Sequence, residues 1–330
     1  MSNWAVRAAM TPISGRIRAY FAPVNRVTGA VTVFDPGKYG WFLLDSPPSP
    51  WIGLGWIDNL RRISGTRTDA IRSGVHGEEV TQFRGAADGR VEFDFREWGK
   101  LQMALACGSE HMNVLAPIAN ATAQPSGGAA AAGVAVAPGS TASEIVVGAG
   151  AVDGFAVGDV VAVDVDYQQQ TGYVGSGIAA AYVSDPTDVN RDANYVRRVT
   201  FNVGRVAEKT TTSLLLAQTL PGGAPLMGAS AQKVIAFVDR EGGSFLQEWS
   251  GLFVAEEASG GRVCFHYPRL SPIMTQTAGW EREEMVGIGG QLSAMALHAA
   301  FLALPYTDAN DGQIAVCYRS YFPASMAAVY

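Results

Sequence analysis

The 330-residue sequence has few charged residues: they make up 16% of it, against roughly 25% in typical soluble domains. Its net charge is −6, and 48% of its residues are hydrophobic. Charged side chains usually cover the surface that faces water, so a sequence with so few of them suggests that less of its surface than usual is exposed to solvent. We therefore expect either a protein whose sides are covered by further copies of itself or a large, glycine-turned β domain, and we favour the first.

The features of secreted, membrane and disulfide-bonded proteins are also lacking. The N-terminal stretch MSNWAVRAAMTPISG has no continuous apolar segment followed by a small-residue cleavage site. No apolar run approaches the ~20 residues needed to cross a bilayer. The three cysteines, Cys107, Cys264 and Cys317, have no CxxC spacing. We expect buried free thiols and a protein made in a cytoplasm.

Catalytic motifs are missing as well. Ser244 lies in GGSFL, which is not the GxSxG motif of hydrolases, and the four histidines show no triad spacing. His298 lies in an apolar stretch and is expected to be a buried core histidine. His76 precedes Glu78 and Glu79 but lacks the HExxH pattern of zinc proteases. We therefore predict no catalytic residues.

The sequence comes closest to a metal site in DPTDVNRDANY. There Asp188, Asn190, Asp192 and Asn194 alternate as calcium ligands do, but Ala193 stands where the sharp-turn glycine belongs. We interpret the segment as a surface loop. Neither a Walker loop nor GxGxxG before a helix is present, so the sequence predicts no metal and no cofactor.

Two uncharged stretches rich in Gly, Ala and Pro, ATAQPSGGAAAAGVAVAPGST and LPGGAPLMGASAQ, divide the chain. We predict a first β part over residues 1–120 with a charge balance of +2, and a middle β-rich part over 121–235 with −3 and no Trp. A second flanking β part follows over 236–330 with −5.

Short Val-rich or alternating runs predict strands in all three parts. In the middle part they have the spacing of a small barrel or sandwich: SEIVV, DVVAVDVDY, RRVTFNVGRV, TSLLLAQ and QKVIAFV. In the flanks they are GRIRAYFAP, AVTVF, EVTQFRG, RVEFDF, GRVCFHYP and GQIAVCYRSYF. Apolar residues recurring every three or four positions predict two helices, in REWGKLQMALACGS and GGQLSAMALHAAFLALP.

Residues 55–74, GWIDNLRRISGTRTDAIRSG, concentrate arginines in an otherwise acidic chain. Such a run first suggests nucleic-acid binding. However, Asp58 and Asp69 are interspersed and two glutamates follow, which is typical of a strand pair that faces solvent or another subunit. We predict a subunit interface that contains Arg61, Arg62, Arg67, Arg72, Glu78 and Glu79.

The order of elements in the flanks resembles the major tail tube proteins of long-tailed bacteriophages. In that family a Gly-aromatic strand, here LGWIDNL, opens a long hairpin, here RRISGTRTDAIRSG. The strand VTQFRG follows, and then RVEFDFREWGKLQMALA matches an alternating strand that runs into a short helix. The closing strands match FVDREGGSFLQEW, GRVCFHYPRL and DGQIAVCYRSYFP. The resemblance covers about residues 10–120 and 235–330, while the middle part departs from the simplest members.

The resemblance implies a mainly β fold, a tail-tube sandwich or barrel with one or two helices, and an inserted small β-barrel or sandwich on its exterior. It implies a structural virion protein without enzymatic activity or cofactor, whose hexameric rings stack into the tail tube and form the channel for genome delivery. The implied location is the virion tail, after assembly in the host cytoplasm and without a membrane.

The implied partners are further copies of the chain, other tail proteins, and a sheath if the tail is contractile. Double-stranded DNA would pass through the lumen without specific binding. An acidic wall would repel phosphates and let the genome slide, whereas a basic wall would hold it.

Two alternatives stay open. A tail terminator, baseplate or head-tail connector component would form one ring and not a polymer. A β-rich hydrolase or carbohydrate-binding module would use the middle part, with Asp164 and Asp166 as an acid/base pair. On an alternating strand these two side chains point the same way, and we expect that way to be toward solvent.

Overall fold

The chain is mainly β: its strands form large antiparallel sheets, and one α-helix is present in the described part. This confirms the mainly β fold predicted from the sequence. The structure is a computed structural model, which describes residues 13–24, 28–48, 50–73, 78–97, 99–116, 119–120, 132–164, 202–240, 247–257, 260–273, 278–284 and 291–323.

The strands and the helix follow one another in this order: β1 (Ile13–Pro23), β2 (Ile52–Ser73), β3 (Glu78–Phe95), α1 (Lys100–Cys107), β4 (Glu110–Leu115), β5 (Val134–Ala135), β6 (Glu144–Val146), β7 (Val160–Asp164), β8 (Val203–Lys209), β9 (Ser213–Leu216), β10 (Ser230–Arg240), β11 (Trp249–Glu257), β12 (Arg262–Pro272), β13 (Ala278–Glu284), β14 (Gln291–Ala303), β15 (Tyr306–Thr307), β16 (Ile314–Ala315) and β17 (Tyr318–Phe322). Two short 3-10 helices cover Pro36–Trp41 and Ala151–Gly154.

Six strands close into a barrel. Their order is β14, β3, β2, β1, β11, β12, and neighbouring strands are antiparallel. The ring closes where β12 pairs with β14, with Leu270 opposite Ala303 and Pro272 opposite Phe301. β13 adds to the edge of β14, and β17 adds to the edge of β12. Closure pairs strand edges that would otherwise be open to other chains.

Aromatic rings fill the barrel. Phe21, Phe93, Phe253, Phe301 and Trp249 are fully buried, and their ring centroids lie 5.2 to 6.3 Å apart. Most of these contacts are edge-to-face, the arrangement that the charge distribution of an aromatic ring favours. Because each such side chain buries roughly 150–250 Å², this cluster contributes a large share of the apolar burial inside the barrel.

A strap formed by residues 28–48 and 50–51 covers the outer face of β1, β11 and β12. Its Phe34, Leu44 and Trp51 pack against Leu252 and neighbouring apolar residues of the barrel wall. The strand predicted for AVTVF is wrong, because residues 30–34 belong to no strand. In place of a strand partner, the backbone N–H of Thr32 donates to the hydroxyl of Ser250 at 3.0 Å.

The second sheet has the order β4, β10, β7, β8, β9, β6, and β5 pairs with β10. Just after β5, the backbone of Val136 donates to Ala229 at 2.9 Å and that of Ala137 donates to Val146 at 2.7 Å. The sheet is thereby drawn round a separate apolar core that includes Val161 and Leu214. The strands predicted in the middle of the sequence therefore form a small, barrel-like body.

The two sheets are in contact. Leu115 of β4, Ala162 of β7 and Leu105 of α1 are fully buried in the same cluster as Phe93 of the barrel. The barrel takes its strands from residues 13–95 and 249–322, and the second sheet takes its strands from 110–240. The domain boundaries at 120 and 235 remain predictions, and β4 joins the second sheet although it precedes residue 120.

One predicted helix is confirmed and the other is wrong. Residues 100–107 form α1, which ends at Gly108 with a left-handed φ of 60°. Residues 291–303 form strand β14, not a helix. Leu297, Ala299 and Phe301 enter the barrel core, and the intervening Ala300 is also buried. Burial on both faces hides the alternation of a strand, and pairing on both edges outweighs the helix propensity of Ala and Leu.

Candidate self-assembly interface

The hairpin of β2 and β3 extends well beyond the barrel. β2 pairs with β1 only from Ile52 to Ile57, and β3 pairs with β14 only from Gly89 to Phe95. Beyond these positions the two strands pair only with each other among the described residues. We call residues 61–73 and 78–88 the arginine arm. At about 3.3 Å per residue, its longer strand spans about 40 Å.

A second two-stranded arm leaves the opposite end of the barrel. β13 pairs with β14 from Ala278 opposite Leu297 to Glu284 opposite Gln291. Leu297 is also opposite Phe95, the last residue of β3. The arginine arm contains the first residues of β3, so it leaves the barrel at the other end of that strand. We call residues 279–284 and 291–296 the glutamate arm. The two arms therefore project in opposite directions.

Both arms present strand edges that have no strand partner in the described part of the chain. A two-stranded hairpin is marginally stable by itself in water, and an unpaired edge is a template for another chain. The arms are thus the parts of this fold that contact with a second molecule would stabilise most.

The predicted interface residues all lie on the arginine arm. In the backbone register Arg61 is opposite Glu92, Arg72 is opposite Glu79, and Ser73 is opposite Glu78. Arg61 is exposed. The side chains of Arg67, Arg72, Glu78 and Glu79 lie outside what the structure describes. Whether these residues meet another subunit therefore remains a prediction.

Arg62 makes its contacts inside its own chain. Its guanidinium lies over the ring of Phe265, 4.2 Å from the centroid. Its Nε donates a hydrogen bond to the hydroxyl of Tyr267, and another nitrogen lies 3.5 Å from Sγ of Cys317. Burial raises the pKa of Tyr267 to about 12, so its hydroxyl stays neutral. Arg62 thus lies against the barrel wall at the base of the arm.

We expect the exchange Arg62→Glu to lower the free energy of unfolding by about 2 kcal/mol. A carboxylate can neither stack on Phe265 nor donate to Tyr267, and a guanidinium over a ring with a charge-assisted hydrogen bond is worth about that much. The neighbouring exchange Arg61→Glu is the matched control, with a change within about 0.5 kcal/mol, because Arg61 is exposed. Urea unfolding measures both, and equal losses in the two variants would contradict this assignment.

Sequence reasoning missed two charged features. The glutamate arm was hidden because half of it was predicted as a helix. The second feature is Asp45 of the strap, whose carboxylate contacts Arg18 at 2.8 Å and Arg262 at 2.7 Å. Arg18 also lies over the ring of Trp56, 4.4 Å from its centroid. The ion pairs of Asp45 thus hold the strap against β1 and β12. No spacing in the sequence predicts that these residues lie together.

His266 fastens the strap at a second point. It is 1% exposed, its ring stacks on Tyr318, and its Nε2 lies 3.2 Å from the carbonyl of Thr32. Nε2 must therefore carry the proton and donate it to that carbonyl. Nδ1 has no hydrogen-bond partner within the described residues. Burial lowers the pKa of His266 to about 4.

Two acid and base predictions need correction. His298 is not a core histidine: its side chain is 41% exposed and its Nδ1 lies 2.7 Å from Asp94, because β14 is a strand whose alternate residues face outward. Asp164 does not face solvent but is 4% exposed at the end of β7. Asp166 lies outside the described residues.

Other candidate residues lie outside the described residues, namely His76, Ser244 and the loop from Asp188 to Asn194. Within the described part, no three His, Cys, Asp or Glu side chains come together as a metal site. All three cysteines are free thiols; Cys107 and Cys264 are buried as predicted, whereas Cys317 is only half-buried.

Two open clefts lie beside the strap. One, of about 490 Å³, is lined by Asp45, Trp51 and Thr219, among others, between the strap and the second sheet. The other, of about 640 Å³, is lined by Asp35, Asp308 and further residues. The carboxylates in both already accept hydrogen bonds from this chain: Asp45 from arginines, Asp35 from a backbone N–H, and Asp308 from Tyr318. We assign no ligand to either cleft.

No protein-family model matches the chain, and no curated protein matches its sequence. Among the described residues, no helix is long and apolar enough to span a membrane.

Proposed function

We propose that this protein is a structural, self-assembling subunit, and more narrowly a phage tail tube protein whose hexameric rings stack into a channel for genome delivery. The observation that carries the proposal is the pair of two-stranded arms at opposite ends of one closed barrel. The proposal assigns no enzymatic activity to the chain.

Arms at opposite ends favour polymers over closed dimers. When one end of a molecule binds the other end of the next, the contact is heterologous, and repeating it gives a ring or an open filament. A tube requires such heterologous end-to-end contacts along its axis. Ring formation within each layer needs a further lateral contact, for which β13 and β17, at the two ends of the eight-stranded sheet, have unpaired outer edges in the described part.

The two arms differ in charge. Apart from Arg62, which lies against its own barrel, the arginine arm contains Arg61, Arg67, Arg72 and Arg84 against four acids, whereas β13 of the glutamate arm, AGWEREE, contains three glutamates and one arginine. Pairing of these arginines with the glutamates of β13 would select the correct end of the partner and speed the encounter. The low overall charge also suits a protein whose surface is largely covered by copies of itself.

The acidic chain suits a channel through which DNA slides. A wall of like charge repels phosphates, while a basic wall would release counterions and hold the DNA. The proposed partners are thus other copies, other tail proteins with a sheath if the tail is contractile, and DNA that is not specifically bound. The proposed location is the virion tail.

Negative-stain electron microscopy of the purified protein tests the proposal. We expect hollow tubes or stacked discs at high protein concentration and low salt, where complementary charges are least screened. Isolated rings that never stack would instead favour a terminator, baseplate or connector component. A persistent monomer under these conditions would contradict both.

A further inference from the structure

We propose that Lys100 and Asn113 react to form an intramolecular isopeptide bond between α1 and β4. Lys100 is the first residue of α1, and its Nζ donates a hydrogen bond to Oδ1 of Asn113. The two reacting groups are therefore already in contact. This inference does not depend on the proposed assembly.

The reaction balances without any co-reactant. The lone pair of Nζ attacks the amide carbon of Asn113, which lies one bond of about 1.2 Å from the contacted oxygen. The bond from this carbon to Nζ forms, the bond to Nδ2 breaks, and a proton passes from Nζ to Nδ2. The leaving group is ammonia, and the product is a secondary amide.

The surroundings favour the neutral amine that the attack requires. The residue as a whole is partly exposed, but its amino end is enclosed by protein, and this local burial lowers its pKa well below the usual value. A deprotonated lysine in a poorly solvated site is the nucleophilic form.

Asn113 is held in place by buried structure. It is 1% exposed and lies on β4 opposite Phe237 of β10. The turn that joins α1 to β4 is fixed by Gln247, whose side chain donates to the carbonyl of Ser109. Trp249 in turn donates to Gln247 at 3.1 Å. Two groups held in contact on rigid elements react as if at very high concentration, and burial keeps water from competing for the amide carbon.

Intact mass spectrometry of the full-length protein, denatured after purification, tests the bond. We expect a mass below that of the sequence by one ammonia. We also expect trypsin to fail to cleave after Lys100, and the peptide containing Lys100 to be recovered joined to the one containing Asn113. A wild-type protein of full mass that is cleaved at Lys100 would overturn the proposal, and so would ammonia loss located at other residues.

Two variants serve as matched controls. Asn113→Ala cannot form the bond, so it should have its full sequence mass and normal cleavage after Lys100. Asn113→Asp offers a carboxyl group in the same place, and bond formation should then remove one water in place of one ammonia. Because the masses are read on denatured chains, a loss of stability in either variant does not obscure the result. Failure of trypsin to cleave after Lys100 in Asn113→Ala would also overturn the proposal.

Discussion

Cutting back the arginine arm is expected to abolish tube formation while the barrel stays folded. Gly65 is opposite Asp88 in the register, so residues 66–87 can be replaced by Asn-Gly, the usual two-residue hairpin turn. The residues of β3 that enter the barrel core, Val91, Phe93 and Phe95, are all kept, and Arg62 keeps its contacts. Electron microscopy shows whether tubes form, and the thermal unfolding midpoint shows whether the barrel is as stable as in the wild type.

The glutamate arm provides the matching variant. Trp280 is opposite Met295, so residues 281–294 can be replaced by the same turn, with the same expected loss of tubes. Each variant keeps the arm that the other lacks. In a mixture of the two, the arginine arm of one variant can bind only the glutamate arm of the other. We therefore expect particles of two molecules or two rings that do not grow further. Tubes from either variant alone would contradict the role of the arms.

The sequence was most informative where local pattern and tertiary environment agree. In RVEFDF, Val91, Phe93 and Phe95 are buried while Glu92 and Asp94 between them are partly exposed, so the period of two was visible. The helix α1 was visible for a similar reason: good helix formers end at Gly108, which supplies the left-handed cap.

The remaining features depend on contacts between distant residues. β14 is covered on both faces near Ala300 and paired on both edges, so its apolar run carries no strand period. The contacts of Arg62 with Tyr267 and of Lys100 with Asn113 depend on the closure of the barrel and on the turn after α1. No spacing in the sequence encodes either. The opposite directions of the arms likewise follow from the register of β3 with β14.

Acid is expected to destabilise the protein through His266. The pKa of this residue is about 4 in the folded chain against 6.5 for an unperturbed histidine. Below pH 6.5 the unfolded chain therefore takes up a proton that the folded chain does not, and stability falls as the pH drops toward 4. The shift corresponds to about 3 kcal/mol lost across that window. Above pH 6.5 His266 makes no pH-dependent contribution.

The variant His266→Gln separates this effect from the titration of carboxylates. Glutamine can donate to the carbonyl of Thr32 as His266 does, but it cannot be protonated. We expect lower stability at pH 7, because stacking on Tyr318 is lost, and a smaller further loss between pH 6.5 and 4 than in the wild type.

Urea unfolding at several pH values measures both losses of stability. The half-exposed His298→Gln is the control, and it should keep the acid loss due to His266. A difference between wild type and His266→Gln that does not change with pH would contradict the assignment. Burial makes His266 acid-sensitive because an imidazolium there would carry its second N–H at Nδ1, which has no acceptor among the described residues.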